Sequence, residues 1–275
     1  MVGAGRRAAV STPRLTLDGH PVSAEHLRAL AQHNYGHFTA FRAREGAVQG
    51  LDLHLARLRE GQAALFDAPF DEAALRTQLR AALAGTELVS VRVTGFARDF
   101  DHRDPLRPVV PEWLISVATV GAIAPARPVR LKSYAFVRPL PHIKHVATFP
   151  LFYYRRQARL AGADDALFVE GAGAAVVEGS VWNIGFWDGS GVLWPQGPAL
   201  RGTCEGLLQR GLEGLGVPQR HARVTLDQAR TLAAFTANAN GCAPVASIDD
   251  QALPAAPTLH DLLARALETQ PWERP

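Results

Sequence analysis

Gly162-Ala-Asp-Asp-Ala-Leu-Phe-Val-Glu-Gly-Ala-Gly-Ala-Ala-Val-Val-Glu-Gly-Ser-Val-Trp-Asn-Ile184 holds two apolar runs, 166–169 and 176–177, on either side of a glycine turn. A dinucleotide-binding fingerprint also sets two glycines one residue apart after a strand, but its glycines must open a helix. Here Val176-Val177-Glu-Gly reads as another strand, so the stretch predicts a hairpin and excludes that fingerprint. Ile184-Gly-Phe-Trp187 and Val192-Leu-Trp194 follow at close spacing and extend the sheet.

Upstream of this hairpin, the pattern predicts a helix over 149–161 ended by Gly162. Downstream, Thr203 is expected to cap a helix through Leu212, and Thr225-Leu-Asp-Gln228 has the form of a capping box. Prolines at 125, 128, 139 and 141 around one strand-like run mark a domain connection. The first half mixes both element types. Leu15-Thr-Leu-Asp-Gly-His-Pro-Val22 is a hairpin pinched at Asp18-Gly19, and Phe38–Arg44 leads into a turn at Glu45-Gly46. Leucines at 51, 55, 58 and 65 form a helical stripe, and Asp71 can cap a second helix carrying Leu75, Leu79 and Leu83 ahead of Gly85. Strand-like runs follow at 88–94 and 113–120. The expected fold class is α/β (α+β) in two domains. A leader spans 1–14, an N-terminal α+β domain 15–122, a connection 123–140 and a larger C-terminal domain 141–275.

The composition agrees. At about 150 residues per domain, 275 residues make roughly two. The net charge of +3 is spread without a run of Lys or Arg, so no nucleic-acid footprint is present. No stretch nears the roughly 18 uninterrupted apolar residues of a membrane span. Cys204 and Cys242 form neither a disulfide framework nor a metal-ligand spacing, which points to a reducing compartment, by default the cytoplasm. His142 and His145 have no nearby Cys or carboxylate to complete a metal set, so none is expected. No GxSxG elbow and no GxxxxGK[ST] loop occurs. Only two of the 29 basic residues are lysines, Lys132 and Lys144, so any lysine chemistry has two candidates.

Four segments in order, His54-Leu-Ala-Arg57-Leu58, Lys144, Gly162-Ala-Asp-Asp-Ala-Leu167 and Glu178-Gly-Ser-Val-Trp-Asn183-Ile184, resemble the class IV (fold-type IV) pyridoxal-phosphate enzymes. That family comprises branched-chain and D-amino acid aminotransferases, related amine transaminases and aminodeoxychorismate lyase. It carries an HxxRL helix, a downstream lysine, a G-x-D-[DE]-A-L strand and an E-G-x-x-x-N-[IL] turn. The resemblance runs from about residue 15 to 265.

The resemblance implies a fold with pyridoxal 5′-phosphate held in the interdomain cleft. Lys144 would be the catalytic residue, holding the cofactor aldehyde as a Schiff base and shuttling the substrate α-proton. Glu178 would keep the pyridine nitrogen protonated. Arg57 would supply charge to the phosphate. Leu200-Arg-Gly-Thr-Cys204 stands where the family has L-P-G-I-T-R, so Leu200 would pack under the ring and the Thr203 and Cys204 amides would meet the phosphate. Thr236-Ala-Asn238 precedes Pro244-Val245 at the spacing of T-G-T-x-x-x-x-x-P-V, and Asn238 would replace a phosphate-binding hydroxyl.

The departures bear on substrate. Cys204-Glu205 replaces Thr-Arg, and Phe149 stands in the place of a tyrosine near the ring oxygen in branched-chain enzymes. The G-x-G-x-F-[ED] opening reads Tyr35-Gly-His-Phe-Thr39, without its acid. Tyr35, His37 and Arg138 are the candidate substrate residues, and Arg103 and Arg107 are further candidates for a carboxylate. The expected activity is transfer of an amino group from a primary amine or amino acid to a keto acid, by a homodimer. Lys144-His145 and Phe38-Thr39 are more like the lyase branch, which forms p-aminobenzoate and pyruvate, and that activity is the alternative. A degenerate member acting as a binding protein is the second.

Overall fold

A computed structural model describes residues 12–121, 126–171 and 173–275. The expected leader up to residue 11, and residues 123–125 of the expected connection, Pro125 among them, lie outside the described residues. The chain divides into two compact units, the first up to Ala124 together with Trp272–Pro275, the second Pro125–Pro271.

In the first unit, β1 (Arg14–Leu17) and β2 (His20–Pro21) close on Asp18 and Gly19, whose φ angles of +45° and +83° match the two-residue turn favoured by twisted hairpins. Helix α1 (Ala24–His33) follows. Then come β3 (His37–Arg44), β4 (Ala47–Gln49), α2 (Leu51–Phe66), α3 (Glu72–Leu83), β5 (Leu88–Phe96) and β6 (Glu112–Thr119). Leu51, Leu55 and Leu58 of α2 and Leu75, Leu79 and Leu83 of α3 are buried in one cluster with Phe41, Val91, Val93 and Ile115. Each such side chain contributes about 1.5–3 kcal/mol by leaving water. Asp71 caps α3 as expected, its Oδ1 accepting from the Ala74 amide at 2.9 Å.

The second unit begins with β7 (Val129–Ala135), the strand-like run expected in the connection. It pairs in parallel with β8 (Asp165–Glu170) and is therefore an integral strand of this unit. Between them lies α4 (Phe149–Leu160), packed through Leu151 and Ala158 against Ala166 and Phe168. Strands β9 (Ala175–Gly179), β10 (Asn183–Trp187) and β11 (Val192–Pro195) follow. The expected hairpin is present as the antiparallel pair β8–β9, with Val169 opposite Val176. Then come α5 (Thr203–Gly214), β12 (Gln219–Ala222), α6 (Leu226–Ala229), β13 (Ala233–Asn238), β14 (Gly241–Ile248), β15 (Gln251–Ala252) and α7 (Pro257–Glu268). Among the described residues the sheet order is β12-β11-β10-β13-β14-β7-β8-β9. The Thr225–Gln228 capping box forms. The Thr203 cap does not. Gly202 is the N-cap and Thr203 the first helical residue, and no side chain caps α5.

The chain then returns to the first unit, where β16 (Trp272–Glu273) adds to the edge of the sheet ordered β16-β4-β3-β5-β6-β1-β2. Residues 272–275 thus belong with the first unit, whereas the sequence reading put them in the C-terminal domain. Both units are mixed α and β.

Candidate active site

Most of the residues singled out in the sequence lie in the second unit. Glu178 sits on β9, a strand buried along its length. The turn into β10 requires glycine at 179. A Cβ there would lie 2.1 Å from the Trp182 ring, and the Gly179 amide donates to Trp182 O at 2.9 Å. Ser180 Oγ donates to Asp165 Oδ1 at 2.6 Å, and Asp165 is also paired with Arg155 at 3.3 Å. Asp164 is engaged by Arg127 and Arg130. The second acid of the Asp-Asp strand therefore pins the turn that presents Glu178 and Asn183, a role the sequence reading did not assign.

Glu178 is 3% exposed. Its Oε2 accepts from the Leu200 amide at 3.2 Å, while Oε1 is buried without a hydrogen-bond partner. Burial pushes the carboxyl up to about 7, opposed by the Arg138 guanidinium, the Leu200 amide, Lys144 and Arg201. Asn183 Nδ2 donates to Leu200 O at 2.7 Å, so the two ends of the Glu178–Asn183 turn grip the same residue from its amide and its carbonyl. Leu200, also buried, is thereby fixed ahead of α5.

Gly202 follows, and a Cβ there would lie 2.1 Å from Asn183 Oδ1, so glycine is needed for this approach. The amides of the first turn of α5, Thr203 and Cys204 among them, have no intrahelical acceptor and carry the positive end of the helix dipole. That arrangement suits an anion. The Cys204 side chain points elsewhere, into a cluster with Leu208, Phe235 and Leu263 that Cys242 joins. Its neighbour Cys242 and burial hold the thiol protonated. Glu205 pairs with Arg201 at 3.1 Å. Asn238 ends β13, and its Oδ1 accepts from the Asn240 amide at 2.8 Å, closing the turn into β14.

Lys144 lies half-buried in the loop between β7 and α4, flanked by the buried Ile143 and Val146. The other lysine, Lys132, is paired with Asp249 at 3.3 Å on β7. Lys144 acts electrostatically on both Glu178 and His145. His145 Nε2 and Pro139 O share a hydrogen bond at 3.1 Å, so this ring braces the loop. Arg138, expected to meet a substrate carboxylate, is buried with its Nε 3.6 Å from Glu178 Oε1. Phe149 starts α4 and is 77% exposed.

The remaining candidates belong to the first unit. Arg57 is half-buried on α2, one turn after His54, whose Nδ1 shares a 2.6 Å hydrogen bond with Thr39 Oγ1. This bond ties the HxxRL helix to β3. Tyr35 stacks on Phe100 with centroids 4.2 Å apart, and its hydroxyl donates to Leu65 O at 2.8 Å. His37 lies under Gly61 and Gly95 and edge-on to Trp113, with neither ring nitrogen hydrogen-bonded. Burial lowers its pKa to about 4, so near neutral pH the ring is uncharged and offers a carboxylate no cation. Arg107 donates to Asp99 O, and the Arg103 amide donates to Asp101 Oδ1 at 2.9 Å.

Residues 36–248 match the family profile described as amino-transferase class IV. A branched-chain aminotransferase from the thermophilic archaeon Thermoproteus uzoniensis, solved with norvaline, is structurally similar with a TM-score of 0.79 at 20% identity over 94% of each chain. A fold IV-transaminase from Curtobacterium pusillum gives 0.74 at 23% identity, covering 87% of this chain and 88% of its own. A hypothetical aminotransferase from Mycobacterium tuberculosis in a PLP-bound form gives 0.75 at 20% identity, over 91% and 93%. No curated protein sequence matches the chain.

Proposed function

Since the chain belongs to the class IV aminotransferase family, we propose that it is a pyridoxal 5′-phosphate-dependent aminotransferase that takes an amino group from a primary amine or amino acid by way of Lys144. The observation that carries this reading is Glu178 Oε1, a buried acceptor with no hydrogen-bond partner, on a carboxylate that also feels the Lys144 charge. A protonated pyridine nitrogen is the donor such an atom lacks. The donor set therefore fits the cofactor: an amine for its aldehyde, a carboxylate for its ring nitrogen, and the amides of α5 for its phosphate. When bound, the cofactor supplies an aldehyde that condenses with amines and a ring that draws electrons from the bond to be broken.

This chain's residues do the rest. Leu200, held at both its amide and its carbonyl, would offer a fixed apolar surface to the cofactor ring, with Glu178 as the partner of the ring nitrogen. The Thr203 and Cys204 amides would hold the phosphate, and Arg57 is the cation proposed for it. Lys144 Nζ would accept the proton from the substrate α-carbon and pass it to the cofactor, the shuttle that amino-group transfer needs. Aminodeoxychorismate lyase activity uses the same groups and is the alternative.

The active form is proposed to be a homodimer. Helix α4 supports this with an outward face of Phe149, Phe152, Tyr153 and Leu160, each about half exposed or more, at the spacing of one helical stripe.

The deciding experiment is an absorption spectrum of the purified protein with pyridoxal phosphate, then borohydride reduction and peptide mapping. Pyridoxyl label on Lys144 is expected. Folded protein with excess cofactor and no label would move the assignment to a binding protein. Screening the cofactor-loaded protein for keto-acid-dependent amine consumption against pyruvate release separates transaminase from lyase.

A further inference from the structure

The loop that carries Lys144 also buries a guanidinium. Arg138 is 5% exposed, and its Nε and Glu178 Oε1, 3.6 Å apart, both lack hydrogen-bond partners. This is an ion pair too long for a hydrogen bond, so the Oε1 lone pairs stay open while the charge behind them is balanced. A buried arginine keeps its proton, and such a charge persists in a core only opposite a carboxylate. The loop is built to hold the pair. Leu140 adopts φ +48°, the Ile143 amide donates to Leu140 O at 2.9 Å, and His145 Nε2 reaches Pro139 O. The closed turn sets Arg138 before it and Lys144 within it.

Three cations act on Glu178, from two segments: Arg138 and Lys144 from this loop, and Arg201 from the lead-in to α5. Lys144 is committed to chemistry. Arg201 is partly exposed and engaged by Glu205 Oε1, Pro195 O and Gly197 O. Arg138 is the fully buried one, and its charge is permanent.

We propose that Arg138 is a positioning residue that favours the ionised form of the Glu178 carboxyl, so that Oε1 serves as acceptor for a protonated ring nitrogen. This role rests on the cofactor reading above. Without a buried cation behind it, a carboxyl so deep in the protein stays protonated, becomes a donor, and leaves the ring nitrogen without its proton. With the guanidinium there, ionisation of the carboxyl is favoured and Oε1 is left able to accept from the ring nitrogen.

The test is an infrared titration of cofactor-free protein, following the carboxylic acid band that Glu178→Gln removes. The wild-type midpoint should lie at about 7. Arg138→Met should raise it by about one pH unit or more, the effect of an opposite charge at this range, and Arg138→Lys should bring it back toward wild type. A purely structural role would leave the Lys variant as displaced as the Met variant. Should Arg138→Met not fold, Arg138→Gln, which keeps a polar group without charge, reads the same shift. Cofactor uptake by the wild type, measured by equilibrium dialysis, separates the two ideas. Folded protein that takes up no pyridoxal phosphate overturns the reading of the site and this role with it. Uptake with an unmoved Arg138→Met midpoint overturns the role of Arg138 alone.

Discussion

Asn183 Nδ2 donates to the Leu200 carbonyl at 2.7 Å, and Gly202 lies so close behind that a Cβ on it would fall 2.1 Å from Asn183 Oδ1. The turn that ends in Asn183 and the segment that opens α5 are thus fitted backbone to side chain, with no room for even a methyl group.

Gly202→Ala is therefore expected to displace the Asn183 side chain and break its bond to Leu200. The overpacking should cost about 1–3 kcal/mol of stability, read as a lower Tm of the cofactor-free protein. Pyridoxal phosphate affinity should fall with it, because the amides of the first turn move. A Tm and an affinity equal to wild type would show that the approach is not tight in solution.

Lys144→Ala should fold normally, since the side chain is half-buried, and should lose borohydride-fixed label and turnover to background. Lys132, paired with Asp249, should remain unlabelled in both proteins. Label appearing at Lys132 instead would reassign the nucleophile.

Glu178 makes cofactor-free protein sensitive to rising pH. The unfolded chain releases this proton near 4.5 and the folded chain near about 7, so the carboxyl's contribution is complete below 4.5 and lost as pH climbs to 7. The loss is roughly 3 kcal/mol by proton linkage. Denaturant titrations of Glu178→Gln across this range should lack that loss relative to wild type. Parallel curves for the two proteins would mean the carboxyl titrates normally.

His37 works in the other direction. Its ring is neutral in the fold down to about 4, whereas the unfolded chain takes a proton near 6.5. Stability is therefore complete above 6.5 and falls by roughly 3 kcal/mol as pH drops to 4. The slopes of His37 and Glu178 oppose each other where their windows overlap, so each is measured as variant minus wild type. His37→Phe should flatten the acid limb, and an acid limb as steep as wild type would locate the proton uptake elsewhere.

Phe152→Glu, on the outward face of α4, is expected to shift the proposed dimer to a monomer near 29.7 kDa in sedimentation velocity, with its far-UV spectrum preserved. A variant that sediments like the wild type would remove this face from the dimer contact.

The sequence was legible where a residue type is needed for a local reason. The Asp71 cap and the α2 leucines could be read in place because short-range geometry demands them, whereas the need for glycine at 202 arises from Asn183, 19 positions away. Helix α7 was equally readable and went unread, with Pro257 in its first turn and Leu259, Leu263 and Ala266 on its buried face. Thr203 misled because a good capping residue one position late looks like a cap, and only the backbone shows that Gly202 holds that place. Arg138 could not be placed from sequence. Its partner lies 40 positions away in the chain, and a surface arginine in a proline-flanked loop looks the same. The bond between Asp165 and Ser180 was hidden likewise, since each residue has a good solvent-facing reading on its own.

The strand Trp272–Glu273 pairs with Val48 and Gln49, residues made more than 200 positions earlier. During synthesis, at roughly 5–20 residues per second, the edge of β4 stays open until the ribosome has passed through the whole second unit. An open edge recruits other strands, so a stalled or truncated product that lacks Trp272–Glu273 would keep that edge unpaired.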